Sequence, residues 1–364
     1  MEYQCKYCGA LHWLNEKLEK SPKRDPQFSM CCKHGEVRIP LLMAPPNFLY
    51  RLLISNDEQA KEFRANISQY NTALAFTSVG VAVDDNVNRC GRGPPVFRIH
   101  GELKHWAGTL LPKESSSPAY AQLYILDPRV AQQYRMQRNS NLRPETMLAH
   151  QNLIRDINPY AKVFQHAFEI LQEHPGAEDY SISLRVMPGQ DVGLNTHRYN
   201  LPTADEVAVL VPGDGTQVVD SCDIILRLHA NESQGVGHGA LQRVNDGHAA
   251  YSSLHYVLLF PHGEPGWHWG LRLFQPNHEN PKRLSQTRYA AFRLQVRPHE
   301  KEFSIVLHAR RLSQRYIVDL WASADQNRLN YLRKNQTKLR ASLYGGLEDA
   351  LSRDVNVNLN DIGQ

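Results

Sequence analysis

Two hydrophobic periods alternate along this chain. Residues 47–54 and 57–70 carry apolar positions at helical spacing, and residues 159–173 give the clearest case. There Tyr160, Val163, Phe164, Ala167, Phe168 and Leu171 recur every three or four residues, the signature of a helix burying one face. Between these segments lie an apolar run at 72–83, a Gly/Pro turn cluster at 90–95 and the alternating stretch 96–100, which with Gly101 and Glu102 predicts a strand entering a hairpin. Further strands are predicted at 123–126, 180–186, 207–211 and 223–228, each short and most of them bounded by Gly, Pro or Asp. The final third returns to the helical period: Leu329, Leu332, Gln336, Leu339, Leu343 and Leu347 form a stripe, with Arg328, Arg333, Lys334, Lys338 and Arg340 around it.

The first 45 residues show neither period and carry a different signal. Cys5-Lys-Tyr-Cys8 is followed about twenty residues later by Cys31-Cys32-Lys-His34, two close-set ligand pairs in the layout of a structural zinc site. A Cys-x-x-Cys turn presents two thiolates from one knuckle, and Cys31 with His34 repeats that spacing. Cys32 competes with His34 for the fourth corner. Residues 15–27 between the pairs are too polar to hold themselves in place without a metal. Buried incidental thiols and a disulfide are the alternatives. Isolated Cys90 and Cys222, and a start unlike a signal peptide, favour a reducing compartment over the disulfide. An apolar stretch closed by Pro45 and Pro46 marks where this module ends.

The fold class expected is therefore α+β. A zinc-finger-like module occupies 1–45, a mixed α/β region 46–281 and a basic, mainly helical region 282–364. At 364 residues the chain exceeds the usual single-domain size, and no run of about eighteen apolar residues exists to span a membrane. The net charge of +4 hides an asymmetry: residues 282–347 hold 14 Lys and Arg against 4 Asp and Glu, so the rest of the chain is net acidic. Phosphate backbones are the commonest partners of such a basic region, although a basic helix face is also often merely solvated.

Catalytic motifs are mostly missing from the sequence. There is no Gly-Lys dipeptide, hence no phosphate-cradling loop and no ATP site of that kind. No two of the 17 histidines are separated by a single residue, which excludes the His-hydrophobic-His metal motif of rolling-circle nucleases. His-Glu-x-x-His and Gly-x-Ser-x-Gly are also absent. One histidine-rich stretch remains, from Leu254 to Trp269. His255, His262 and Glu264 would make a metallohydrolase centre if they converged. The stronger reading is packing: 255–260 is an apolar run, 261–266 a turn, and Trp267 and Trp269 anchor that turn to a core.

An ordered series of short strings runs through nearly the whole chain. It begins with Cys5-x-x-Cys8-Gly9-Ala10 and Trp13, then Cys31-Cys32 with His34-Gly35-Glu36-Val37, Tyr70-Asn71 with Leu74 to Ser78, and Phe97-Arg98-Ile99-His100-Gly101. It continues through Asn158-Pro159, Arg198 to Thr203, Leu258-Leu259-Phe260-Pro261, Arg311-Leu312 and Asn335-Gln336 with Leu339-Arg340. In this order the strings resemble the N-terminal region of Helitron transposases, rolling-circle proteins described as helicase-like. The resemblance implies a relay in which this region precedes a nuclease and a helicase, so both catalytic parts are expected beyond Gln364 and none of their motifs transfers. A separately expressed, truncated or degenerate copy is expected. The resemblance favours Cys32 as the fourth ligand, local spacing favours His34, and both stand at this point.

The function expected from sequence is a non-catalytic, DNA-engaging segment with a structural zinc. Arg310, Arg311, Arg315, Arg333, Lys334, Lys338 and Arg340 are the candidate phosphate contacts, supported by Lys20, Lys23 and Arg24 of the loop between the ligand pairs. The partner would be single-stranded or junction DNA, with the downstream transposase domains as further partners and the nucleus as location, as the resemblance implies. The competing class is a protein-interaction scaffold that positions those domains.

Overall fold

The hairpin at the start of the chain is too short to stand alone: β1 (Tyr3–Gln4) pairs antiparallel with β2 (Leu11–His12) over two residues each. A computed structural model of the protein describes residues 1–83, 99–112, 116–173, 180–184, 208–212, 224–227, 242–298 and 304–336. It divides into two compact units, Met1–Leu320 and Trp321–Gln364. Among the described residues, no helix is long and apolar enough to cross a membrane.

In the first unit the chain leaves the cysteine module through two prolines. Pro46 is the N-cap of α1 (Asn47–Ile54), which buries Leu49, Leu52 and Leu53. Asp57 then caps α2 (Glu58–Leu74), its carboxylate accepting from the amide of Ala60 at 2.8 Å. Ala60, Phe63, Ile67, Tyr70 and Leu74 form the buried face of α2. Buried Arg64 reaches back to the carbonyls of Leu52 and Ser55, satisfying acceptors that the end of α1 leaves open. Asn71 clips α2 to a distant segment: its amide donates to the His255 carbonyl at 2.8 Å and accepts from the Leu258 amide at 3.1 Å.

The strand β3 (Ser78–Val83) pairs antiparallel with β4 (Ile99–Ala107). Residues 96–98 of the expected strand lie outside the described residues. The expected strand at 123–126 is instead the short helix α3 (Gln122–Ile125). Leu123 and Tyr124 are adjacent and both buried. Tyr124 donates to the Leu74 carbonyl and packs on Phe76 at 4.4 Å, and that tertiary contact overrides the local pattern. Three helices follow, α4 (Pro128–Arg138), α5 (Pro144–Ile157) and α6 (Pro159–Glu173), each opening on a proline whose missing N–H costs nothing in the first turn.

A second sheet holds β5 (Tyr180–Leu184) between β6 (Ala208–Pro212) and β7 (Ile224–Arg227), all antiparallel. These match the expected strands to within two residues at either end. The strand β8 (Gln242–Val244) adds to the free side of β4. Then come α7 (Tyr251–His255), α8 (Gln286–Arg293), α9 (Ile305–His308) and α10 (Arg311–Lys334). The architecture is a mixed α+β arrangement of helices and small sheets.

The core of the first unit has two clusters. The larger joins α1, α2, α6 and α7 to the fully buried run Val257-Leu258-Leu259-Phe260 and to Leu312, Tyr316 and Leu320. Within it sits a buried polar group: His105 Nε2 of β4 lies 2.8 Å from Asp319 Oδ2, and Tyr251 donates to the other oxygen at 3.0 Å. The second cluster gathers Cys5, Ala10, Phe28, Cys31, Cys32 and Val37 with Trp267, Leu273, Leu284, Tyr289 and Phe292. The cysteine module thus shares its apolar core with residues 267–292. In the second unit, the described part of the predicted leucine stripe is helical, with Leu329 and Leu332 exposed; Leu339, Leu343 and Leu347 lie outside the described residues.

Candidate metal centre

Each pair of thiols is presented by a tight turn. In the first, the Gly9 amide donates to the Cys5 carbonyl at 2.8 Å, and Gly9 takes φ +70, a left-handed conformation that costs glycine nothing. The Cys5 amide donates to the Ala10 carbonyl at 2.8 Å, closing the knuckle. In the second, Val37 and Gly35 donate to the Cys32 carbonyl at 2.9 and 3.1 Å, and the Gly35 amide also points at Cys32 Sγ at 3.3 Å. Lys33, His34 and Gly35 all take positive φ, turning the chain sharply after the adjacent thiols.

These turns bring Cys5, Cys8, Cys31 and Cys32 together, their sulfurs all within 4.8 Å of one another. Cys5 and Cys32 are 3.6 Å apart and Cys31 and Cys32 3.8 Å. A tetrahedron with Zn–S bonds of about 2.3 Å has S···S edges of about 3.8 Å, so the spacing fits a metal. It does not fit a disulfide, which needs about 2.05 Å, and all four cysteines are free. Adjacent Cys31 and Cys32 reach the same point because the backbone bends between Ser29 and Gly35, where Lys33 donates to the Ser29 carbonyl at 2.8 Å. His34 is exposed and outside the group. Of the two rivals for the fourth corner, the structure brings Cys32 to the other sulfurs.

Four sulfurs this close share protons unequally. Hydrogen bonds from Cys31, then Cys32, hold the Cys5 and Cys8 thiols below the ordinary thiol range, Cys8 at about 6. Cys31 is pushed up, chiefly by Cys32 and then by Cys5 and Cys8. A dication at the centre removes that competition, since thiolate ligation proceeds with loss of the protons. The donor set of four cysteines is the closed kind that structural zinc sites use, with no corner left for water or substrate.

The intervening loop is pinned by more than its ligands. His12 stacks on Phe28 at 4.2 Å and pairs with Glu16 at 2.8 Å. The Leu18 amide donates to the Gln27 carbonyl at 2.9 Å, and Lys17 Nζ donates to the carbonyls of Leu18, Glu19 and Ser21. From the other side, the buried Arg297 guanidinium donates to the carbonyls of Cys8, Gln295 and Phe292 while lying 3.9 Å over the Phe292 ring. The Leu11 amide donates to the Val296 carbonyl at 2.8 Å, and the Phe274 amide to the Glu36 carbonyl at 2.7 Å. Arg38 stacks over Phe274 at 3.4 Å. Arg297 is a residue that sequence reasoning missed, because nothing local ties it to a cysteine 289 positions earlier.

The other expected ligands do not converge. Among the described residues, the four cysteines are the only group of three or more ligand atoms close enough to share an ion. His255 is buried with Nδ1 3.1 Å from the Thr77 carbonyl oxygen, its ring against His105. His262 Nε2 lies 3.2 Å from the Ala44 carbonyl oxygen instead. Glu264 is buried, and burial raises its carboxyl. The packing reading holds for this stretch: Trp267 is buried and donates to the Leu284 carbonyl at 2.8 Å, whereas Trp269 covers Gly247 and remains 37% exposed.

The basic candidates are solvent-facing. Arg310, Arg311 and Arg315 are exposed at the start of α10 in the first unit, and Arg333 and Lys334 in the last turn of the helix in the second. Lys338 and Arg340 lie outside the described residues. Lys20, Lys23 and Arg24 are exposed on the cysteine module. No curated protein matches the chain. Residues 289–364 match the family model described as the Helitron helicase-like domain at N-terminus, and in that segment the chain is similar to the N-terminal region of Helitron helicase-like proteins.

Proposed function

We propose that this chain is a zinc-stabilised, DNA-engaging N-terminal segment of a Helitron-type rolling-circle transposase, itself non-catalytic and acting in the nucleus. One observation carries the reading: the segment with the family match begins at Tyr289, and Tyr289 and Phe292 form part of the apolar floor beneath Cys5, Cys31 and Cys32. The cysteine module and the start of the Helitron-like segment are thereby one structural piece, and the closed four-sulfur donor set suits a metal that folds rather than reacts. Structural zinc contributes on the order of 10 to 16 kcal/mol in small finger peptides.

The phosphate contacts proposed are Arg310, Arg311, Arg315, Arg333, Lys334, Lys338 and Arg340. Arg310 and Arg311 place positive charge where the helix dipole is already positive, an unfavourable arrangement that a bound phosphate would relieve. Single-stranded or junction DNA is the proposed partner. A fluorescence-anisotropy titration of the zinc-loaded chain with a labelled single strand tests this. Neutralising about four phosphates gives a slope near −3 in log affinity against log salt. No binding at low salt, or a flat slope, overturns it.

A scaffold that docks protein is the second reading, favoured by Trp321, Leu329 and Leu332, which stand about half exposed on the helix of the second unit. The same titration separates the two, since a scaffold requires no DNA binding at low salt.

A further inference from the structure

Two aromatic rings stand on the outer surface of the metal module, one from each knuckle. Tyr7 lies between Cys5 and Cys8, and His34 follows Cys32 by two residues. Their rings meet edge to face with centroids 6.1 Å apart and an interplanar angle of 87°. Tyr7 is 51% exposed and His34 is exposed as well, so neither fills the core, to which Phe28, Trp267 and Phe292 contribute instead.

The pair is held in place. A Cβ on Gly35 would come within 3.0 Å of Tyr7 Cδ1 and 3.3 Å of its Cβ and Cγ, so the ring rests directly on the glycine backbone. Lys33 and His34 take φ of 50 and 55, left-handed values that non-glycine residues adopt at a cost. That turn directs the His34 ring outward against Tyr7 rather than inward to the sulfurs. Lys6 Nζ lies 5.4 Å from the Tyr7 centroid.

Resting on the reading of this chain as DNA-engaging, we propose that Tyr7 and His34 form a stacking platform for an unpaired nucleobase, with Lys6 serving the adjacent phosphate. Every base has a π-face but a duplex hides it, so an exposed ring selects single-stranded nucleic acid. A ring fixed by its glycine seat loses little freedom when a base stacks on it. Lys20, Lys23 and Arg24, exposed and without an ion pair among the described residues, supply the module with charge for the backbone of the same strand.

The test uses the full zinc-loaded chain and a fluorescein-labelled oligothymidylate of about 16 nucleotides. Tyr7→Ala is expected to weaken single-strand affinity roughly tenfold while leaving the salt slope unchanged, because a ring neutralises no phosphate. Tyr7→Trp retains affinity, His34→Ala weakens it by a smaller factor, and binding to a duplex of the same length is unchanged in all three. Photocrosslinking of the unaltered chain to a bromodeoxyuridine strand, which needs no variant, is expected to label the peptide containing Tyr7. Unchanged single-strand binding by zinc-bound Tyr7→Ala, an equal loss on duplex, or crosslinks confined to other peptides overturns the platform while DNA engagement stands. Failure of the unaltered chain to bind any DNA overturns both.

Discussion

Replacing Cys32 by Ala and, separately, His34 by Ala gives opposite outcomes if the four-sulfur geometry is correct. Cys32 is fully buried, with its sulfur 3.6 Å from that of Cys5 and 3.8 Å from that of Cys31. His34 is exposed, and its ring meets that of Tyr7. Dividing a structural-zinc contribution of about 14 kcal/mol among four ligands assigns about 3.5 kcal/mol to each, or roughly a 300-fold loss of zinc affinity. Cys32→Ala also empties a sulfur-sized space in the apolar cluster that Cys32 shares with Phe28 and Tyr289, and leaves the Gly35 amide without its sulfur acceptor, so the loss of fold stability adds to the loss of metal. His34→Ala removes no ligand, and zinc affinity stays within about threefold. Competition for zinc against a chromophoric chelator at neutral pH measures both variants, and thermal unfolding with and without chelator reports the stability. Equal loss in the two variants, or full zinc affinity in Cys32→Ala, would refute the assignment of the fourth corner.

Three further outcomes follow from the packing. His150 is fully buried and stacked on Phe63 at 4.8 Å, and burial lowers its imidazole to about 4. Because its folded value lies below the ordinary 6.5, the unfolded chain takes the proton first. Stability then falls as pH drops from about 6.5 towards 4, by up to about 3 kcal/mol, and denaturant midpoints at stepped pH values should lose part of this slope in His150→Gln. Asp319→Asn leaves the buried His105 without its carboxylate and Tyr251 with a weaker acceptor, and is expected to cost about 3 kcal/mol in denaturant unfolding; a loss below about 1 kcal/mol would remove the pair from any role in stability. Arg297→Ala removes three donors to backbone carbonyls and the contact with Phe292. It is expected to speed amide hydrogen exchange across residues 1–37 more than across α2, and uniform exchange would show that the module does not depend on this contact.

The sequence alone determined most elements whose signal is local. The periodic run at 159–173 is a helix over that same span, since six apolar positions at one spacing leave one face to bury. The spacing of Cys5 with Cys8 and the adjacent thiols at 31 and 32 made the cysteine cluster legible, because a knuckle needs only a few adjacent residues and a turn. The short string at 123–126 carried no such signal: four apolar residues suit a strand or a buried helix equally, and the contact of Tyr124 with Leu74 and Phe76 chose the helix.

Only the tertiary structure placed the Cys32 sulfur, and not the His34 ring, beside the other three sulfurs. Spacing counts residues along an ideal chain, whereas the left-handed turn through Lys33, His34 and Gly35 rotates the histidine outward and the second thiol inward. The docking of the module was likewise invisible in sequence, because Trp267, Tyr289 and Arg297 reach the cysteines across more than two hundred residues. Long-range contacts of that kind are fixed by shape and burial within the folded core, and no local pattern encodes them. The four cysteines were legible one by one, and the fold brought their sulfurs within 4.8 Å of one another.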